Sequence, residues 1–141
     1  MPTRKASATW EGGLQNGKGS FQGESEAING TYTAGSRFAE DKGTNPEELL
    51  AAAHASCFSM ALAVQLERAG HPPRKVSTDA ACTVERIGEG FTITTMKLST
   101  RADVPGIDNA LFQELATKAK EGCPVSRALT GVKVELEATL E

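Results

Sequence analysis

Residues 45–70 read NPEELLAAAHASCFSMALAVQLERAG, the one long helical signal in the chain. Asn45 can cap a helix, Pro46 suits the first helical position, and Glu47 and Glu48 complement the positive end of the dipole. Gly70 and the pair Pro72-Pro73 stop it, so the signals predict a helix from about Pro46 to Ala69. Its first two-thirds are apolar nearly all round. A helix of that kind is covered on most sides, which a chain of 141 residues arranges with difficulty by itself, so burial against a second copy is expected. The nearly apolar run Leu49 to Val64 is interrupted by His54, Ser56 and Ser59 and falls short of the roughly 20 residues of a membrane span. It reads as a helix buried inside a soluble protein.

Outward from that helix, the pattern changes on both sides. The first 37 residues are rich in Gly, Ser and Thr. Stretches such as Lys5 to Trp10, Gly19 to Gln22 and Thr31 to Ala34 alternate with turn formers at Asn16-Gly17 and Asn29-Gly30, which predicts short antiparallel strands. A polar loop, Glu40 to Asn45, leads into the helix. Beyond it, Val76 to Ile87 and Phe91 to Ala102 read as two strands joined by Gly88-Glu89-Gly90, with Val76, Thr78, Ala80, Cys82 and Val84 on one face. Ile107 to Lys120 carries Leu111, Leu115 and Ala119 at helical spacing, and Val132, Val134, Leu136, Ala138 and Leu140 alternate as a last strand. Strands, long helix, strands, helix, strand make an α+β domain, and without a repeat or linker residues 1–141 are expected to form a single one.

The 15 basic residues are scattered among 18 acidic ones for a net charge of -3, which argues against nucleic acid as a partner. The N-terminus begins basic but has no apolar segment after it, so nothing there directs secretion. Three cysteines, Cys57, Cys82 and Cys123, are too few and too irregular for a secreted disulfide framework. Reduced thiols in a cytoplasm, and no membrane, are the expectation.

Cys57, in the middle of the helix, reads by itself as a small core residue. Cys123 lies directly before Pro124 at the start of a helical turn, where free backbone N–H groups favour a thiolate. A nucleophilic thiol with a second thiol in reach is the minimum for a peroxide cycle, but 66 residues of separation leave their proximity open. Cys82, inward on a strand, reads as core. A reactive thiol also needs a cation, for which Arg37 is the candidate, and Glu47 or Glu48 could orient its guanidinium. On a straight helix Glu47 and Cys57 are roughly 15 Å apart in rise, so either the helix breaks or the carboxylate enters the site from another subunit. His54, one turn before Cys57, admits a Cys-His hydrolase dyad or a metal site with Cys57 and Cys123, beside the plainer reading of a packing histidine.

Several stretches together resemble the osmotically inducible protein C (OsmC) and organic hydroperoxide resistance family. They are Gly43 to Leu49, Ala52 to Leu62, Val104 to Asp108 and Lys118 to Ser126, in that order, within a likeness that runs from Trp10-Glu11-Gly12 almost to the C-terminus. The stretch His54 to Met60 is closer to the OsmC branch. The resemblance implies an intertwined homodimer, with antiparallel sheets around a long buried central helix and two sites at the subunit interface. It implies a thiol peroxidase that reduces organic hydroperoxides without metal or organic cofactor. Cys57 matches the peroxidatic cysteine, Cys123 the resolving one, and Arg37 with Glu47 the polarising pair. An external dithiol, lipoyl-type in the sister branch, would return the disulfide to thiols. A non-catalytic stress or metal- or ligand-binding protein on the same fold is the alternative.

Overall fold

The computed structural model describes residues 1–141. Its elements are β1 (Ala6–Glu11), β2 (Lys18–Gly23), β3 (Asn29–Tyr32), α1 (Ala34–Phe38), α2 (Pro46–Arg68), β4 (Lys75–Ile87), β5 (Gly90–Asp103), α3 (Asn109–Gly122), α4 (Pro124–Ala128) and β6 (Lys133–Leu140). This is an α+β chain, and it divides into two compact units, Met1–Leu49 and Leu50–Glu141.

In the first unit β1, β2 and β3 form an antiparallel sheet in sequence order. Asn16-Gly17 lies in the connection between β1 and β2, as its turn chemistry predicts. Asn29-Gly30 does not make a turn: both residues lie in β3, and the chain reverses before them, where Glu26 takes a φ of 62°. Gly30 is there for close approach, because a Cβ on it would come within 2.8 Å of the Phe21 ring. The strand expected over Thr31 to Ala34 ends at Tyr32. Thr33 instead caps α1: its hydroxyl accepts from the Ser36 N–H at 3.1 Å, and the Ser36 hydroxyl accepts from the Thr33 N–H at 2.9 Å. Five residues with no apolar period are helical because both ends of that box close.

In the second unit β4 and β5 form the expected hairpin through Gly88, with a bulge between Thr83 and Val84. After α3 and α4, β6 lies parallel to β5, so this sheet is mixed where an antiparallel one was expected. Met96, Leu98 and Ala102 of β5 are buried with Phe112, Leu115, Ala116 and Ala119 of α3. Val76, Ala80 and Cys82 of β4 pack against that core, as the alternation predicts. Asp108 caps α3 by accepting from the Leu111 N–H at 2.9 Å.

Within α2, Phe58, Leu62 and Leu66 repeat every four residues on one stripe with His54, and all four are fully buried. The three apolar side chains contribute about 1.5–3 kcal/mol each by leaving water. The helix begins at Asn45, whose side chain accepts from the Glu48 N–H at 2.7 Å. It ends at Gly70, whose φ of 84° lets the N–H groups of Gly70 and His71 reach the carbonyls of Glu67 and Leu66. One expectation changes here. At 23 residues α2 is long and apolar enough, by length and composition alone, to cross a bilayer, so it does not fall short of a span. Its own chain leaves part of it uncovered, as expected of so apolar a helix in a chain of this length: Ala52, Ala53, Ser56 and Met60 lie exposed, Met60 at 71%.

Candidate active site

Each unit holds one pair of the side chains singled out above. In the first unit, the polar loop is tied back onto α1. The Ser36 hydroxyl donates to the Thr44 carbonyl at 2.8 Å, and the Asn45 amide donates to the Ser36 carbonyl at 3.1 Å. This fixes the start of α2 beside the last turn of α1, which carries Arg37. Arg37 Nε donates to Glu47 Oε1 at 3.0 Å and Oε2 at 3.3 Å, and Nη2 donates to Oε1 at 2.9 Å. Glu47 is buried and Arg37 partly so, and a fork of this kind is stronger and better oriented than a surface ion pair. Glu48 is exposed and takes no part. The Arg37 guanidinium also lies 5.0 Å from the centre of the Phe38 ring. Beside it is a cavity of about 220 Å³ lined by Trp10, Leu14, Tyr32 and Phe38, with Trp10 and Tyr32 ring centres 5.5 Å apart.

In the second unit, Cys123 is at once the residue that ends α3 and the one that begins α4. That junction packs against α2, and the Cys123 and Cys57 sulfurs are 3.1 Å apart, hydrogen-bonded and not covalently joined. Cys123 is fully buried. Cys57 is half-buried and opens on a mostly apolar groove of about 300 Å³ lined by Met60, Ala61, Val64 and Ala119, with Arg68 and Lys118 also on its wall. An apolar group could therefore reach Cys57 but not Cys123. Cys82 packs against the core, apart from this pair.

The two thiols are pushed in opposite directions. Burial raises Cys57, and its hydrogen bond with Cys123 raises it further, against a smaller lowering by the Val125 N–H. Burial also acts to raise Cys123, but the Cys57 thiol, the Ser126 N–H and hydroxyl, and the Val125 N–H all favour its thiolate, and the net shift is downward. Within the pair, Cys123 is therefore the more acidic thiol and Cys57 the less acidic one.

His54 does not address either thiol directly. Its Nε2 lies 2.7 Å from Ser126 Oγ, its Nδ1 has no partner, and burial lowers its pKa. The dyad and metal readings both lose their geometry, since no group of three or more His, Cys, Asp or Glu side chains is placed to hold a metal. Ser126 was not among the side chains singled out from the sequence. The signal present for it was its place three residues after Cys123, on the first turn of a helix starting at Pro124.

Residues 39–137 match the model of a family described as OsmC-like protein. The chain is 46% identical over 127 residues to the peroxiredoxin OsmC of Escherichia coli, an alignment covering 89% of each. It is 39% identical over 99 residues to an organic hydroperoxide resistance protein of Xanthomonas axonopodis, covering 70% of this chain and 67% of that one. Among solved structures, an organic hydroperoxide resistance protein from Elizabethkingia anophelis matches all of this chain and 98% of its own, with a TM-score of 0.76 at 28% identity.

Proposed function

The chain belongs to the OsmC-like protein family, and from that premise we propose that it is a peroxidase that reduces organic hydroperoxides through Cys57 and Cys123. The observation that carries this reading is the pair of sulfurs 3.1 Å apart, one open to an apolar groove and the other fully buried. In the proposed cycle the Cys57 thiolate attacks the terminal oxygen of R–O–O–H. The O–O bond breaks, the alkoxide leaves and takes a proton as R–OH, and Cys57 becomes a sulfenic acid. Cys123 then displaces the sulfenic oxygen as water and forms a disulfide with Cys57. An external dithiol, which family resemblance suggests is lipoyl-type, attacks that disulfide and leaves both cysteines reduced. Sulfur carries both electrons throughout, so the cycle uses no metal or organic cofactor. A reduced dithiol of this kind suits the cytoplasm.

The directions of the two thiol shifts define what else the cycle needs. Cys57 must be the thiolate when peroxide arrives, yet burial and its bond with Cys123 both raise its pKa. A cation brought close to Cys57 acts in the opposite direction, favouring its thiolate, and it also stabilises charge as the O–O bond breaks. Arg37, held by Glu47 through Nε and Nη2, offers its Nη1 edge for that role. Because α2 is unbroken, ten residues of helix separate Glu47 from Cys57, about 15 Å of rise. The carboxylate and its arginine are therefore assigned to the site of a second copy, in a homodimer that also covers the exposed face of α2 at Ala52, Ala53 and Met60.

Treating the reduced protein with one equivalent of cumene hydroperoxide, followed by peptide mapping without reductant, tests the reading. A Cys57–Cys123 disulfide with Cys82 still free is the expected result. Peroxide left intact beside three free thiols would overturn it.

A further inference from the structure

Asparagine, aspartate and serine cap helices about equally well, so capping alone does not account for the asparagine at position 45. Its oxygen does the capping, accepting from the Glu48 N–H at 2.7 Å. That settles which way the amide faces: its NH2 group is turned to the Ser36 carbonyl, to which it donates at 3.1 Å. Ser36 belongs to the five-residue helix α1, and its carbonyl is among the last four that a helix cannot pair within itself. One side chain therefore closes the first turn of α2 and the last turn of α1 together. Arg37 follows Ser36 directly and Glu47 lies just beyond Asn45, so this tie joins the two stretches of backbone that carry the fork. The Ser36 hydroxyl adds a second tie, donating to the Thr44 carbonyl at 2.8 Å. Thr44 is in turn fastened to β3, where the Thr31 carbonyl accepts from its N–H at 3.2 Å and from its hydroxyl at 2.7 Å.

We propose that Asn45 and Ser36 are positioning residues for Arg37: by locking α1 to the start of α2 they hold the guanidinium, its Nη1 edge free of Glu47, where it can meet the Cys57 sulfur and the peroxide. This inference rests on the peroxidase reading of Cys57. The fork fixes the guanidinium against the Glu47 carboxylate, but it does not fix the backbone beneath Arg37. Packing does not fix it either, since Ser36 is the one buried residue of α1. Without the two ties the helix is held by the Thr33–Ser36 box and by the fork itself, and half of that box is the same Ser36 hydroxyl. A cation acts on a thiolate and on a breaking O–O bond according to its distance from them, and a misplacement of about 1 Å at a reacting centre can cost about 100-fold in rate. The two functions of Asn45 reside in two different atoms, so they can be separated. Asn45→Ser keeps an oxygen to cap α2 and adds no charge, but it has no amide to give the Ser36 carbonyl.

The experiment is a double-mutant cycle on the full chain, combining Asn45→Ser with Arg37→Ala. Two quantities are measured: kcat/KM for cumene hydroperoxide, and the pH profile of Cys57 alkylation by iodoacetamide, followed by peptide mapping. Asn45→Ser is expected to keep the parent's midpoint in denaturant, because its cap is retained. Its kcat/KM should nevertheless fall by about 10–100-fold. Cys57 alkylation should move to higher pH, the direction in which Arg37→Ala moves it further. In the Arg37→Ala background, Asn45→Ser should change neither rate by more than about twofold, since no guanidinium is left to place. Ser36→Ala should repeat this pattern, and Asn45→Ser keeps the test informative if that buried substitution fails to fold. Parent rates in Asn45→Ser, or an equal loss with and without Arg37, would overturn the positioning role and leave the peroxidase reading standing. A parent protein that leaves the peroxide intact would overturn the peroxidase reading. The alkylation profiles then decide this inference by themselves: a shift by Asn45→Ser only when Arg37 is present upholds it, and any other pattern overturns it.

Discussion

The Arg37 region and the Cys57 region are built by opposite means. Around Arg37, polar bonds do the holding: Thr33 and Ser36 close a capping box, Ser36 and Asn45 tie down the loop, and Glu47 grips the guanidinium. Around Cys57, packing does it: Phe58 and Leu62 of α2 meet the buried faces of β5 and α3, and the two sulfurs meet at the end of that contact. The first region has an oriented charge and no nucleophile. The second has the nucleophiles, with Arg68 and Lys118 lining the groove at Cys57 but no oriented fork like that at Arg37. Under the peroxidase reading the chemistry belongs to neither alone, and each can be broken without dismantling the other.

The deepest break is Cys57→Ser, which removes the group that attacks oxygen. Peroxide consumption should fall by at least about 10³-fold, while Cys82→Ser should leave it unchanged in the same coupled assay. Arg37→Ala comes next. Loss of preorganised charge at the reacting oxygen should lower kcat/KM by about 10²–10³-fold. Mixing unfolded Arg37→Ala and Cys57→Ser chains and refolding them together sharpens the point. If sites are assembled across two copies, random pairing restores about a quarter of the parent's sites; a mixture as inactive as its components would show that each copy uses its own arginine. Stability separates the regions by a smaller margin. Leu62→Ala should cost about 2–5 kcal/mol in denaturant unfolding, and Asn45→Ala, which loosens the cap and loop, about 1 kcal/mol.

The smallest effect is a pH dependence from His54. Burial lowers its pKa below 6.5 in the folded chain, so on acidification the unfolded chain takes up a proton that the folded one refuses. The stability this histidine supports is fully present above about pH 6.5 and is lost as the pH falls from there towards the folded pKa. Thermal melts of the parent should therefore lose more between pH 7 and 5.5 than melts of His54→Gln. Parallel losses in the two would show that the carboxylates dominate.

Much of this was legible in the sequence where the signal is local. The limits of α2 follow from Asn45, Pro46 and Gly70, and the inward face of β4 follows from strict alternation. What was not legible depends on distant partners. Asn29-Gly30 has the composition of a turn, but Phe21 crossing above Gly30 makes it strand. Helix α1 is too short to show a period and owes its existence to two reciprocal bonds. The parallel docking of β6 is a choice among sheet edges that its own alternation cannot express. At the site, the Arg37–Glu47 fork spans ten residues and chemistry suggested it, whereas the meeting of Cys57 with Cys123 and of His54 with Ser126 joins positions 66 and 72 residues apart. Residue types could nominate the cysteines, but only tertiary packing brings the sulfurs together, and nothing local marked Ser126 as the partner of a buried histidine.

Trp10 and Tyr32, tilted against each other beside the cavity at Arg37, are the only tryptophan and the only tyrosine in the chain. Both lie within Met1–Leu49. Intrinsic fluorescence therefore watches this one unit, while far-ultraviolet circular dichroism is weighted towards the helices beyond it. The molecule carries its own pair of independent optical probes, and whether their melting curves coincide tells whether the two units unfold as one.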